Sequence, residues 1–290
     1  MTVLLAQFLF VYFLGNGEKG VHFALSEDGF QWTALKDGAP WVAPQEAEEL
    51  MRDPYVTRGP DGTYHMVWTW GWRTPAIGYA SSRDLVTWST QRRIPFFEGV
   101  AGVKNVWAPE IYWNAAKKHW MVIWSSTIEG RFPEKTPQAK NGLNHRIYKA
   151  TTTDFVKFSE PEVFFDPGYS VIDATLLERD GLWQMVFKDE REMPLKKFLL
   201  LASGPTVEGP WGEISEPFTE SWSEGPSALK VGDDWVVYYD HYRAPQGYRA
   251  ARSRDLKAWE DASARLRMPS GAKHGSFLRL TDGEAKRLRP

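Results

Sequence analysis

Five times along the chain an apolar strand runs into an Ala/Ser/Thr-rich strand, a tight Asp- or Gly-bearing turn and then an aromatic residue. The copies end at Trp32, Trp88, Phe158, Trp211 and Trp259, and the best preserved span residues 23–32, 79–88 and 250–259. Units of this kind each leave a hydrophobic face that only a neighbouring copy can cover, so they stack. Five sheet units of one type predict an all-β protein, a five-bladed β-propeller. The repeats run through all 290 residues, so a single propeller domain is expected over 1–290.

Lettering the strands of a repeat A to D, the apolar, aromatic-rich B strands are the easiest to see. They read Gln7 to Leu14, Tyr64 to Trp70, His119 to Trp124, Trp183 to Phe187 and Trp235 to Tyr239. Four follow an A strand closely, at Asp53 to Val56, Pro109 to Trp113, Asp173 to Leu177 and Gly225 to Leu229. The first B strand has none before it. At the other end of the chain His274 to Leu280 has the A pattern with nothing after it, so this C-terminal strand is expected to complete the first blade. Such closure shields two edges that would otherwise invite aggregation.

Links from A to B and from C to D are tight turns, whereas those from B to C and from D to the next A are long: 125–144, 189–196, 90–106, 159–171 and 212–223. In an up-and-down meander the long links share a rim with the beginnings of the A strands, and that rim is where function is expected.

Composition narrows the partners. Formal net charge is −2 and Lys and Arg are scattered, so the basic footprint of a nucleic-acid binder is missing. The 15 Trp suit blade wedges and flat sugar-stacking faces alike. Without Cys there is no disulfide, thiolate metal site or Cys nucleophile. Leu4 to Leu14 is too short to span a bilayer and lacks a basic flank and cleavage site, so no membrane insertion is expected. The expected location is cytoplasmic, or secreted or periplasmic if a signal peptide has been removed. A monomer is expected because ring closure removes sheet edges.

Three acids stand where A strands begin: Asp53 in Arg52-Asp53-Pro54, Asp173 in Ile172-Asp173-Ala174 and Glu224 in Glu224-Gly225-Pro226. Single surface acids are usually solvated, but three at matching places on one rim converge on the ring axis. With Trp107-Ala108-Pro109-Glu110, and in this order, the motifs resemble those of glycoside hydrolase family 43. These are five-bladed propeller enzymes that release arabinofuranosyl or xylosyl residues from plant polysaccharides. The chain departs in carrying a blade segment before its first Asp, and Glu110 where Asp is usual.

The resemblance implies that Asp53 is the general base, Glu224 the general acid, and Asp173 the neighbour that raises the pKa of Glu224 and orients the sugar. It also implies inversion, with acid and base about 6.5–9.5 Å apart. The function expected is therefore an exo-acting inverting α-L-arabinofuranosidase. A β-xylosidase, a galactofuranosidase and a non-catalytic carbohydrate-binding propeller are the alternatives.

Further residues on the same rim are candidates for substrate binding. Trp70 and Trp72 follow the second B strand and suit an indole platform. Glu110 is read either as bordering the pocket or as satisfying backbone donors near the axis. Lys188, His241 and Arg243 could bond sugar hydroxyls or belong to solvated loops. The 125–144 insertion could wall off one side. No organic cofactor is expected. The one metal candidate is His274, which heads the closing strand where some relatives hold a hydrated cation such as calcium; the competing reading is a hydrogen-bonded core histidine.

Overall fold

The computed structural model describes residues 7–46, 49–132 and 142–289. It is a five-bladed β-propeller of five antiparallel sheets. Blade 1 orders Lys273–Leu280, Gln7–Phe13, Val21–Ser26 and Thr33–Ala34 from the axis outward. Its closing strand pairs with the first as expected, with Val11 opposite Ser276 and Leu9 opposite Leu278. The inner strands of blades 2 to 5 are Arg52–Arg58, Trp107–Asn114, Val171–Arg179 and Ser223–Val231. Each pairs outward with an apolar B strand: Tyr64–Thr69, His119–Ser126, Leu182–Asp189 and Asp234–His241.

The repeat has a local cause. In four blades a Ser or Thr ends the C strand and an Asp follows two residues later. The Asp28 carboxylate accepts from the Phe30 and Gln31 amides at 2.8 Å, and the Ser26 hydroxyl accepts from the Gly29 amide at 2.9 Å. Ser82/Asp84, Thr152/Asp154 and Ser253/Asp255 repeat the pattern. The amide bonds hold these aspartates below the usual carboxylate range, with only minor opposition from burial at Asp84, Asp154 and Asp255. The repeat-ending indole then closes its own turn: Trp32 Nε1 donates to Gly29 O at 3.1 Å and Trp88 Nε1 to Leu85 O at 3.2 Å.

The D strands come after the aromatic residue and are short, Arg92–Pro95 and Glu162–Phe165 being the longest at four residues. Blade 4 departs from the four-strand expectation. Its sheet has three strands, and segment 212–218 instead donates irregularly to the outer edge, from Gly212 to Ser203 O and Phe218 to Leu199 O. Apolar faces of adjacent blades interlock between the sheets, as where Phe96 stacks on Trp124 at 4.1 Å. Among the described residues no helix is long and apolar enough to cross a membrane.

Candidate active site

All five inner strands carry a β-bulge near the same rim, where two residues oppose one on the B strand. Aligning the five bulges puts His274, Asp53, Ala108, Asp173 and Gly225 in equivalent places from blade 1 to blade 5. Asp53, Ala108, Asp173 and Gly225 have φ of 50°, 47°, 55° and 58°, a left-handed conformation that costs a non-glycine residue about 1 kcal/mol or more. The bulge brings the Asp53, Asp173 and His274 side chains to the axis. The three acids do not all match as expected: in register Asp53 and Asp173 do, whereas Glu224 stands one residue earlier, level with Arg52, Trp107 and Ile172. Glu110 sits two residues deeper than the bulge, level with Tyr55, Thr175, Ser227 and Ser276.

Asp53, Asp173 and Glu224 nevertheless line one axial pocket of about 290 Å³, together with His274, Asp240 and Glu190. A larger cavity of about 1230 Å³ lies between the outer parts of blades 4 and 5, and none of the three acids faces it, so volume does not mark the site.

Asp53 accepts from Thr69 Oγ1 at 2.7 Å, and Thr69 Oγ1 accepts from the Ala108 amide at 2.7 Å, tying blade 2 to blade 3. His274 Nδ1 is 3.4 Å from Asp53 Oδ1. Burial opposes charge on Asp53, but the His274 bond and charge, with Arg52 and Thr69, outweigh it and hold the carboxyl below its ordinary value. Burial also opposes charge on His274, yet Asp53 and the neighbouring acids lift the imidazole to about 9. Asp53 is therefore a carboxylate and His274 an imidazolium at neutral pH.

Asp173 Oδ2 accepts from the Gly225 amide at 3.0 Å, which fixes the backbone immediately after Glu224. A Cβ on Gly225 would lie 2.4 Å from His274 Cγ, so only glycine lets the ring pack there. Burial and the Glu224 charge raise Asp173 to about 6, with His274 opposing. Asp240 is directly opposite Glu224 in the ladder, and burial and the Glu224 charge likewise raise it to about 6. The Glu224 charge thus acts on two acidic neighbours, Asp173 and Asp240.

Several assignments need correction. Trp70 is no platform: it is 6% exposed, stacks near Trp68 at 6.4 Å and belongs to the core between blades 1 and 2. Strand alternation turns it inward. Trp72, at 49% exposed, does line the pocket. Lys188 is 1% exposed and lies behind Glu224, donating to its Oε2 at 2.9 Å and pairing with Glu190 Oε2 at 2.7 Å. Burial alone would lower its pKa, but Glu190 and Glu224 carry it well above the lysine value.

His241 is buried and faces Glu220 at 3.3 Å, and Arg243 is exposed over the Trp222 ring at 4.2 Å; neither lines the pocket. Glu110 lies beneath the pocket, bonded by the Tyr112 hydroxyl, and burial raises it to about 8, so it is neutral at pH 7. The donor set around His274 does not fit a cation. Its Nδ1 faces Asp53 as an imidazolium, and among the described residues no three His, Cys, Asp or Glu form a metal-holding group. Residues 133–141 of the expected wall lie outside the described residues.

A five-bladed propeller whose separate blades deliver carboxyl groups to one axial pocket is the architecture of propeller glycoside hydrolases. Residues 4–286 match the family described as a probable glycosyl hydrolase domain, related to glycoside hydrolase family 43, and the chain belongs to it. It is 26% identical over 262 residues to an α-L-arabinofuranosidase of Bifidobacterium longum subsp. longum, covering 76% of this chain and 24% of that protein. The chain thus spans about a quarter of that curated relative's length. A thermostable family-43 glycoside hydrolase has the same fold, with a TM-score of 0.59 and 17% identity, covering 77% of this chain and 78% of the other. The α-L-arabinofuranosidase from Lactobacillus brevis gives 0.58 and 16%, covering 73% and 72%.

Proposed function

We propose that the protein is an exo-acting, inverting glycoside hydrolase that releases α-L-arabinofuranosyl residues from plant-type oligosaccharides or polysaccharides. The observation that carries this reading is the meeting of Asp53, Asp173 and Glu224, from three blades, in one small axial pocket. At about 290 Å³ the pocket lies at the small end of ligand sites, which suits one terminal sugar better than a chain passing through. The similarity to an α-L-arabinofuranosidase supports the sugar.

In this mechanism Asp53, held as a carboxylate by His274 and Thr69, takes a proton from the attacking water. Glu224 delivers a proton to the departing oxygen. The C–O bond to the leaving group breaks as the water oxygen bonds the anomeric carbon from the opposite face, inverting it. Asp173 positions Glu224 through the Gly225 amide. Lys188 anchors the far side of the Glu224 carboxylate, and proton delivery requires Glu224 to exchange that bond for a proton when substrate displaces water.

The test is hydrolysis of aryl α-L-arabinofuranoside, β-D-xyloside, β-D-galactofuranoside and β-D-fructofuranoside, with proton NMR following the released anomer. Preferred turnover of the arabinofuranoside with inversion supports the reading. Preference for the xyloside or galactofuranoside reassigns the sugar, retention overturns the mechanism, and binding without turnover points to a carbohydrate-binding propeller.

A further inference from the structure

Beside the axial pocket is a second cavity of about 540 Å³, and the two share a wall made by Trp72 and Trp107. The wall is rigid. Trp72 Nε1 donates to Asn16 Oδ1 at 2.9 Å, the Arg52 guanidinium covers one indole face at 4.1 Å, and the Trp107 ring meets Trp72 edge-on at 5.6 Å. Trp107 Nε1 donates to Trp72 O at 2.9 Å. Both indole N–H groups are thus committed within the protein, so the rings offer apolar surface to a ligand. An indole that is half exposed yet held by three contacts is suited to receive a flat sugar face.

The polar lining is opposite in sign to that of the axial pocket. Among the described residues Arg73 and Lys104 line this cavity, and no Asp or Glu does. Asn105 is also there, but its amide is engaged, Nδ2 donating to Ser125 O at 3.1 Å and Oδ1 accepting from Thr127 N at 3.0 Å. Lys104 pairs with Glu129 at 2.6 Å, with both side chains well exposed, and such surface pairs exchange partners at little cost. Two cationic donors beside aromatic surface match a ring that brings a carboxylate. The axial pocket, with Asp53, Asp173, Glu190, Glu224 and Asp240 against Arg52, Lys273 and His274, is acidic on balance and suits the same ring less.

We infer that this cavity is the leaving-group side of the site and that it takes an acidic sugar ring, a uronic acid, of the glycan chain that bears the cleaved residue. The inference rests on the proposed hydrolase reading for the direction of the chain, but the recognition itself is independent of turnover. It would make the protein selective for side chains borne next to uronic acids rather than for the sugar in the axial pocket alone.

The test is calorimetric binding by a Glu224→Gln variant, in which turnover is removed, of glucuronosyl-substituted xylotriose and of neutral xylotetraose at low and high salt. The acidic ligand is expected to bind about tenfold more tightly at low salt, the value of one charge-assisted contact. That advantage should vanish in 0.5 M salt, roughly a Debye length below 5 Å, and in a variant also carrying Arg73→Gln and Lys104→Gln. Equal affinity for the two ligands, no binding of either, or an advantage that survives the double substitution overturns the inference. If no glycoside is turned over yet the acidic ligand is still selected, the hydrolase reading fails and the acidic-sugar site stands.

Discussion

Replacing His274 with Gln keeps a polar group of similar size at the axis but removes the positive charge that faces Asp53. The imidazole moves from 6.5 when unfolded to about 9 in the fold, which corresponds to about 3 kcal/mol of stability from its protonation. Its side chain is 13% exposed, so solvent screening is limited. Because the folded value is raised, this contribution is fully present below pH 6.5 and is lost as pH rises through about 9. Asp53 has the opposite sign: its folded value is depressed, so its contribution is present above about pH 4, the unfolded value, and disappears as pH falls through the lower folded value. The pair is therefore worth most between about pH 4 and 6.5. Urea unfolding of the native chain and of His274→Gln across pH 4.5–10 measures this directly. The native protein should be more stable by about 3 kcal/mol at pH 6, and the gap should close toward pH 10. A gap that stays constant over the whole range would refute the ion pair and leave only packing as the role of His274.

Other perturbations follow from the same geometry. Glu110→Gln should leave stability at pH 5 within about 1 kcal/mol of native and raise it above pH 8, because the native acid, raised to about 8, loses stability as pH climbs from the unfolded value; the same urea series reads this. Lys188→Met should destabilise by about 1.5–3 kcal/mol, since it removes the lysine that bonds Glu224 and one of the two that pair with Glu190, which keeps Lys197, and the melting temperature should fall accordingly. Gly275→Ala should prevent proper closure of blade 1, because a Cβ would lie 2.0 Å from Val11 O; loss of cooperative thermal unfolding is the expected readout, and an unchanged transition would contradict the registered pairing.

The blades were legible because four of the five turns use the same chemistry. A Ser or Thr hydroxyl and an Asp two residues on satisfy the turn amides, and at Trp32 and Trp88 the closing indole bonds a turn carbonyl, so these residues recur with the turn. Closure was legible because only one A-type segment lacked its partners. The bulge was not: it adds a residue to each inner strand without a distinctive residue type, so Glu224 was read as level with Asp53, and Glu110 as bordering the same layer. Trp70 and Trp72 differ by two residues, yet one ends the strand facing the core and the other lies beyond it, where alternation no longer applies. Lys188 is expected just past the end of the fourth B strand, as a sugar contact or in a solvated loop, whereas Leu182–Asp189 continues as strand and carries it behind Glu224. Glu190 is absent from the expected site, and although Asp240 stands beside His241 on the expected rim, counting back from the Gly232-Asp233 turn pairs it with Gly225; only the bulge brings it opposite Glu224.

The most direct test of the acid and base assignment is the leaving-group dependence of kcat/KM for the native chain, Glu224→Gln and Asp53→Asn, using methyl and dinitrophenyl α-L-arabinofuranosides. A general acid matters only when the departing oxygen needs a proton, and such catalysis is worth about 10²–10⁴-fold. Glu224→Gln should therefore lose about 10³-fold on the methyl glycoside and less than about tenfold on the dinitrophenyl one, whereas Asp53→Asn should lose comparably on both. Equal losses on both substrates for Glu224→Gln, or full activity in either variant, would contradict the assignment.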